Sequence, residues 1–203
     1  MRKLAFLILL SLVTLGVFAQ SNLRWNVNAG VGMSNWYGDD ADAADAKFAY
    51  KVGIGLEVPF ANTDIWSFQT GLNFISKGTK SDGVTDALDV VDVTVNQLYL
   101  ELPLMVGARV RTASNFDLLF KGGPYLACGV GGKTKADGVS QKVDTFGDDG
   151  LGLKRFDAGL GLGVAFEFDQ IVVGVETGTS FTKLISGVGA RNISALVTIG
   201  YKF

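Results

Sequence analysis

The 203-residue sequence predicts an all-β protein, namely an eight-stranded antiparallel up-and-down transmembrane β-barrel that follows an N-terminal signal peptide. Three observations support this fold class. Apolar residues alternate with glycine and polar residues in eight segments, the connections between the segments are alternately short and long, and aromatic residues collect at the segment ends. An even strand number with short turns at one end and longer loops at the other is typical of outer-membrane barrels.

The chain begins with one continuous apolar segment, Leu4–Ala19, which follows Arg2 and Lys3. This segment is shorter than the about 20 residues that a membrane-spanning helix needs. A basic start, an apolar middle and a small-residue end describe a secretory signal peptide. We therefore predict a signal peptide over residues 1–19 and a single barrel domain over residues 20–203.

The strand prediction rests on a period of two residues. Between residues 155 and 169, one parity carries Phe156, Leu160 and Leu162, and the other carries mainly glycine and charged residues. Strict alternation of this kind indicates a strand with one apolar face. The eight predicted strands are about 24–36, 48–58, 65–77, 93–109, 116–130, 155–169, 171–181 and 193–203. The longer predicted connections are about 37–47, 78–92, 131–152 and 182–192.

The apolar parity is predicted to face lipid. Alternation alone also fits a soluble barrel such as a lipocalin, whose apolar parity points inward. Glycines on the opposite parity suit a crowded lumen, since glycine in a strand marks close approach. Aromatic residues at both strand ends match the two interfaces of a bilayer, and the strand lengths match its thickness.

The charged parity then fills the lumen, where ions need partners because an unpaired buried charge costs several kcal/mol. We predict a structural ionic network there, with Glu101 close to Lys121. The predicted members share the glycine-rich parity: Lys51, Glu57, Glu101, Lys121, Arg155, Asp157, Glu167 and Glu176.

One strand is predicted to protrude above the membrane. In the segment 88–104, the apolar residues change parity between Val93 and Val95 on one side and Leu98, Leu100 and Leu102 on the other. Outside the bilayer the outer face of a strand meets water, so polar residues can occupy it there. A change of solvent along the strand explains the switch.

Several function classes are excluded or disfavoured by composition. The chain contains no histidine, on which the known outer-membrane lipases and proteases depend, so we predict that it is not an enzyme. A formal net charge of −2 gives no reason to expect nucleic acid. No cofactor or metal motif is present, and the only cysteine, Cys128, is predicted to be a buried, inert thiol.

Three segments resemble a known family. The segments "YLELPL" (Tyr99–Leu104) and "GGPYLA" (Gly122–Ala127) and the ending "ALVTIGYKF" are similar to those of small outer-membrane β-barrel domains called porin-like or PorT-like, common in Bacteroidetes. The resemblance implies a location in the cell outer membrane. It also implies that the ending is a signal for the barrel-assembly machinery, carried by Val197, Ile199, Tyr201 and Phe203.

The sequence therefore favours an outer-membrane barrel with a structural or interaction role in envelope integrity, adhesion or assembly. The expected partners are outer-membrane lipid, the barrel-assembly machinery, and a protein or surface polysaccharide at outer loops such as 131–152. Two alternatives remain, a narrow porin-like channel and a soluble exported ligand-binding barrel. Eight strands leave an interior just wide enough for side chains, which disfavours free diffusion.

Overall fold

The computed structural model describes residues 23–39, 41, 44–60, 63, 65–86, 89–112, 116–136, 143–147, 151–185 and 189–203. The predicted signal peptide, residues 1–19, lies outside the described residues. Among those that are described, no helix is long and apolar enough to cross a membrane.

The described residues form ten strands, eight of which close into an antiparallel barrel. The strands are β1 (Arg24–Tyr37), β2 (Lys47–Pro59), β3 (Trp66–Asp86), β4 (Asp89–Arg111), β5 (Asp117–Gly131), β6 (Lys133–Ala136), β7 (Val143–Asp144), β8 (Phe156–Phe168), β9 (Ile171–Ser180) and β10 (Arg191–Lys202). Neighbouring barrel strands pair in chain order, and β1 pairs with β10, so the sheet closes on itself. Because the barrel is closed, each barrel strand is paired on both sides. The backbone N–H and C=O groups of a sheet that spans lipid must be paired in this way, since no water is there to bond to them.

Two predicted loops contain regular structure. β3 and β4 continue as a long hairpin through most of the segment 78–92, with a register shift between Ser81 and Val84. β6 pairs with the same extension of β4, and β7 pairs with β6. A sheet therefore rises beyond the barrel on the side of the long connections. This agrees with the predicted protrusion of one strand, although the sequence predicts connections over residues 78–92 and 131–152.

The short connections lie at the opposite end of the barrel, here called the short-turn end. The tightest joins β8 to β9 through Asp169 and Gln170, with Asp169 at a φ of 53°. Two-residue hairpins favour this left-handed conformation, which aspartate tolerates better than most residues. The other end is called the loop end.

The orientation of the strands agrees with the prediction. Leu162 on the apolar parity is 54% exposed, whereas Glu167 on the charged parity is 6% exposed. The same alternation along β8, β9 and β10 places valine, leucine and isoleucine outside and glycine and ions inside. The apolar face is thus the face that meets lipid.

Aromatic side chains mark both ends of this outer face. The exposed ones at the short-turn end are Trp25, Phe60, Trp66, Phe168, Tyr201 and Phe203, and those at the loop end include Phe48, Phe156 and Phe181. β8 has 13 residues from Phe156 to Phe168. At about 3.4 Å per residue and a tilt near 40°, it rises about 30 Å, the thickness of a hydrocarbon core.

The prediction of a buried Cys128 is wrong. Cys128 is exposed and lies on the outer parity of β5, opposite Leu100 of β4 and Phe156 of β8. Its apolar neighbours are lipid-facing residues, which is why its parity alone suggested burial.

Candidate functional site: a charged lumen beneath an apolar cap

Charged side chains from seven of the barrel strands meet inside the barrel at three levels along its axis. Alternation directs every second residue inward, and the antiparallel register then decides which inward residues share a level. We name the levels the short-turn layer (Glu57, Arg109, Glu167, Lys202), the middle layer (Lys51, Lys121, Glu176) and the loop-side layer (Lys77, Glu101, Asp157).

Arg109 organises the short-turn layer. Its Nη2 donates to Glu57 Oε1 at 2.7 Å and to Oε2 at 2.9 Å, and its Nε donates to Glu167 Oε2 at 2.6 Å. Lys202 Nζ also donates to both carboxylates, to Glu57 Oε2 at 3.1 Å and to Glu167 Oε1. Arg24, whose side chain is 43% exposed, adds a longer contact of 3.3 Å to Glu57. Two carboxylates thus receive hydrogen bonds from three cations across this end of the lumen.

The middle layer is built around one carboxylate. Glu176 of β9 accepts a hydrogen bond from Lys121 Nζ at 2.6 Å and another from Lys51 Nζ. Thr198 of β10 adds a hydroxyl contact of 3.4 Å. These partners come from β2, β5 and β10, so the layer links opposite walls of the barrel to Glu176 on β9.

In the middle layer two cations contact one carboxylate, whereas in the loop-side layer one cation lies between two carboxylates. Lys77 Nζ lies 2.9 Å from Glu101 Oε2 and 3.4 Å from Asp157 Oδ2. It also lies 4.1 Å from the centroid of the Tyr125 ring, within the range of a cation–π contact. Asp157 Oδ1 also accepts a hydrogen bond from the Thr182 hydroxyl at 2.7 Å.

An apolar cap closes the lumen above the loop-side layer. We define it as Tyr99, Phe146, Leu153, Leu184 and Ala190, all of which are buried. The rings of Tyr99 and Phe146 meet edge to face with centroids 5.4 Å apart. Leu184 N donates to Ala190 O at 3.0 Å, so part of the β9–β10 connection folds inward over the barrel.

Lumen glycines give the larger side chains room, as the sequence predicts. A Cβ on Gly159 would lie 2.6 Å from the Tyr125 hydroxyl, and one on Gly129 would lie 2.6 Å from the Phe146 ring. Such distances are far inside van der Waals contact. Each glycine is therefore required by the neighbour that fills the space beside it.

Two small cavities with polar side chains in their lining lie inside the described part of the barrel. A cavity of about 90 Å³ lies around the middle layer, lined in part by Asn26, Asn28, Asn73 and Glu176. A second cavity of about 30 Å³ lies between the middle and loop-side layers, beside Tyr125 and Ser194. Polar cavities of this size hold a few water molecules.

Most of the predicted lumen residues lie in these layers. The structure differs from the prediction in the partner of Glu101 and in the position of Arg155. Glu101 pairs with Lys77 rather than with Lys121, because the register places Glu101 opposite Ala127 and Lys121 opposite Gly107. Arg155 precedes β8 and is exposed at the loop end, where it donates to Gly129 O at 3.0 Å and lies over the Phe146 ring.

Three important cations are absent from the predicted set: Lys77, Arg109 and Lys202. Each lies on the inward parity of its strand, so extending that parity to the strand ends would have identified them. The described residues contain no cluster of carboxylate or cysteine ligands that could hold a metal ion. The predicted C-terminal residues Val197, Ile199, Tyr201 and Phe203 all lie exposed on the outer face.

Residues 18–186 match the family model described as "Outer membrane protein beta-barrel domain". None of the curated proteins matches the sequence. Among solved structures, the chain is similar to the attachment invasion locus protein Ail of Yersinia pestis, with 14% identity, 89% of this chain and 99% of that chain covered, and a TM-score of 0.42.

Two further solved structures are similar over comparable lengths. Neisserial surface protein A gives 11% identity, coverage of 88% of this chain and 97% of that chain, and a TM-score of 0.43. The outer membrane protein OprG of Pseudomonas aeruginosa gives 13% identity, coverage of 90% and 97%, and a TM-score of 0.38.

Proposed function

Because the chain belongs to the outer membrane protein β-barrel domain family, and so lies in the outer membrane, we propose that it acts as a closed barrel that presents its outer loops for a structural or interaction role. The observation that carries the proposal is the filled lumen. Three charged layers and an apolar cap stand in series along the barrel axis.

Each layer opposes the passage of solutes for a different reason. An ion that crosses the short-turn layer must separate Arg109 and Lys202 from two buried carboxylates, which costs several kcal/mol for each charge left unpaired. The cap presents apolar surface to the same ion and offers no replacement for its hydration shell. A continuous water path is therefore inconsistent with this packing.

The regions available to partners lie above the barrel, on the extended hairpin and on β6 and β7. Lys133 and Asp144 pair across this edge at 3.5 Å, and both side chains remain well exposed. Exposed loops on a rigid scaffold are common positions for recognition. We propose a protein or a surface polysaccharide as the partner at this edge.

Planar-bilayer recording tests the closed lumen. The purified, heat-modifiable barrel should give no stable conductance steps, while a large porin in the same bilayers provides the positive control. Reproducible steps from the wild-type chain would instead support the alternative, a narrow porin-like channel, for which the polar cavity beside Glu176 is the supporting observation.

Site-specific photo-crosslinking in intact cells tests the interaction role. A crosslinker at exposed Lys135 on β6 should give adducts of defined mass, whereas one at lipid-facing Leu162 should give none of the same mass. Identical adducts from both positions, or none from Lys135, would contradict a partner at this edge.

Within the family, we propose that the chain is one of the porin-like, PorT-like barrels. The support is the pair of segments Tyr99–Leu104 and Gly122–Ala127. Both belong to the strand pair β4–β5, in which they supply Glu101, Tyr99 and Tyr125 to the lumen.

A further inference from the structure

Three cations lie at the loop end of β8, β9 and β10, on chain segments that are joined by backbone hydrogen bonds. Lys154 lies just before β8, Lys183 lies just after β9, and Arg191 opens β10. The β8–β9 pairing continues into this region, because Phe181 N donates to Ala158 O at 2.8 Å and Lys154 N donates to Leu184 O at 2.9 Å. We call Lys154, Lys183 and Arg191 the basic patch.

The basic patch differs from the cations of the lumen in having no carboxylate partner among the described residues. Lys154 and Lys183 are exposed. The Nε of Arg191 is buried and has no hydrogen-bond partner within the described part of the chain. Three positive charges that have no carboxylate partner among the described residues indicate an anion supplied from outside the protein.

The patch lies at the level of the exposed aromatic side chains at the loop end of the barrel. Phe181 is 64% exposed and Phe156 is 58% exposed, and both come within two residues of a patch lysine along the chain. Phe156 marks one end of the about 30 Å rise of β8, so the patch lies where lipid tails give way to headgroups. An anion bound there would have hydrocarbon on one side and water on the other.

We propose that the basic patch binds the phosphate of an outer-leaflet lipid headgroup, with Phe156 and Phe181 against its acyl chains. Lysine supplies a point charge, and arginine can donate two parallel hydrogen bonds to phosphate oxygens. A soluble anion would satisfy the charges but would leave the exposed rings without an apolar neighbour. This inference rests on the outer-membrane location and not on the closed lumen, so a conductance result would leave it unchanged.

The test uses the purified full-length mature barrel and lipid A, a phosphorylated glycolipid, as the probe. Retention of lipid A is measured by native mass spectrometry, with phosphatidylcholine and inorganic phosphate in parallel. The double variant Lys154→Gln with Lys183→Gln should bind lipid A about thirtyfold more weakly than the wild type, since each cation near a membrane surface contributes a similar factor. The single variant Lys183→Gln should lose about fivefold.

The matched control removes two lysines from β6, Lys133→Gln with Lys135→Gln, and should bind lipid A as the wild type does. Replacing Lys154 and Lys183 by arginine should preserve binding. Heat-modifiable migration shows that each variant is folded, and the single variant serves if the double variant is not. Equal binding by patch and control variants would overturn the proposal, as would displacement of lipid A by millimolar inorganic phosphate.

Discussion

At Arg109 a single guanidinium holds two carboxylates that come from different strands. Glu57 lies on β2 and Glu167 on β8, and both lie within 3 Å of the Arg109 nitrogens. Arginine suits this position because its planar fork presents several donors in fixed directions and remains charged. Lys202 alone cannot reproduce that geometry, although it contacts both carboxylates.

Replacing Arg109 by methionine should lower the free energy of unfolding by about 3–5 kcal/mol, because two buried carboxylates would lose their main partner. Urea titration of the barrel refolded in vesicles would measure the change. The control is Arg24→Met, which removes a half-exposed contact to the same Glu57 and should cost less than about 1 kcal/mol. Equal losses in the two variants would show that Arg109 is not the centre of the layer.

The lumen residues show what alternation can and cannot predict at this scale. Parity places Glu57, Glu101 and Glu176 on the inner face, where the structure has them. It does not determine partners, since a pairing depends on strand register and on side-chain reach across the barrel. Lys77 of β3 contacts Asp157 of β8 across the lumen, and the separation of the two residues in the sequence does not predict that contact.

Among the strands, β5 has one face that lines the lumen and an opposite face that contacts lipid. Gly129 faces inward beneath Phe146, while its neighbour Cys128 faces outward. Near the end of the strand, Gly131 has open space beside it. The two glycines therefore differ in what a side chain would meet.

Gly129→Ala should destabilise the barrel by about 1–3 kcal/mol, because the added methyl group would force Phe146 out of the cap. Limited proteolysis should then cut the β7–β8 connection faster than in the wild type. Gly131→Ala on the same strand is the matched control and should leave both unfolding and proteolysis unchanged. Similar behaviour of the two variants would mean that Phe146 does not depend on the space at Gly129.

The outward position of Cys128 predicts its reactivity in vesicles. A membrane-impermeant charged thiol reagent should not label it in the folded barrel, since lipid covers it, but should label it after denaturation. Lys135→Cys, in a chain that also carries Cys128→Ser, should react with the reagent while folded. Labelling of folded Cys128 at the rate of the β6 position would place this face of β5 in water.

The long hairpin of β3 and β4 marks the limit of strand prediction. The change of parity within β4 predicts that this strand protrudes, but the segment 78–92 is predicted as a connection, because no bilayer lies outside it and its outer face need not be apolar. Val95 and Tyr99 share a parity and are both buried, Tyr99 as a member of the cap, whereas Thr94 lies on the other parity. Backbone pairing between β3 and β4 continues where the outer face passes from lipid into water. The hydropathy of this segment alone does not indicate that the pairing continues.

For the whole molecule, closure between the first and last strands joins chain ends that are far apart in sequence. β1 and β10 pair from Asn26 and Lys202 to Tyr37 and Arg191. Fold class and lipid-facing surface follow from local alternation and are therefore predictable. The cap is not predictable in this way, because four of its five residues (Phe146, Leu153, Leu184 and Ala190) lie in two separate connections that carry no periodic signal.

The C-terminal strand yields a prediction that separates assembly from stability. Phe203 is exposed at the end of the chain, and its ring packs edge to face on Tyr201 with centroids 5.2 Å apart. If the ending is the signal for the barrel-assembly machinery, Phe203→Ala should reduce the folded, heat-modifiable fraction in cells. Refolding of the same variant into vesicles should change little, because the backbone bond from Phe203 N to Trp25 O remains.

Phe181→Ala is the matched control, since it removes an equally exposed ring from the opposite end of the barrel. Both rings contribute similar contact with the membrane interface, so both variants should lose similar stability in vesicles. Only the C-terminal variant should assemble poorly in cells, because only there would the ring be recognised before the barrel closes. A parallel loss of assembly in both variants would assign Phe203 a purely interfacial role, with no part in recognition.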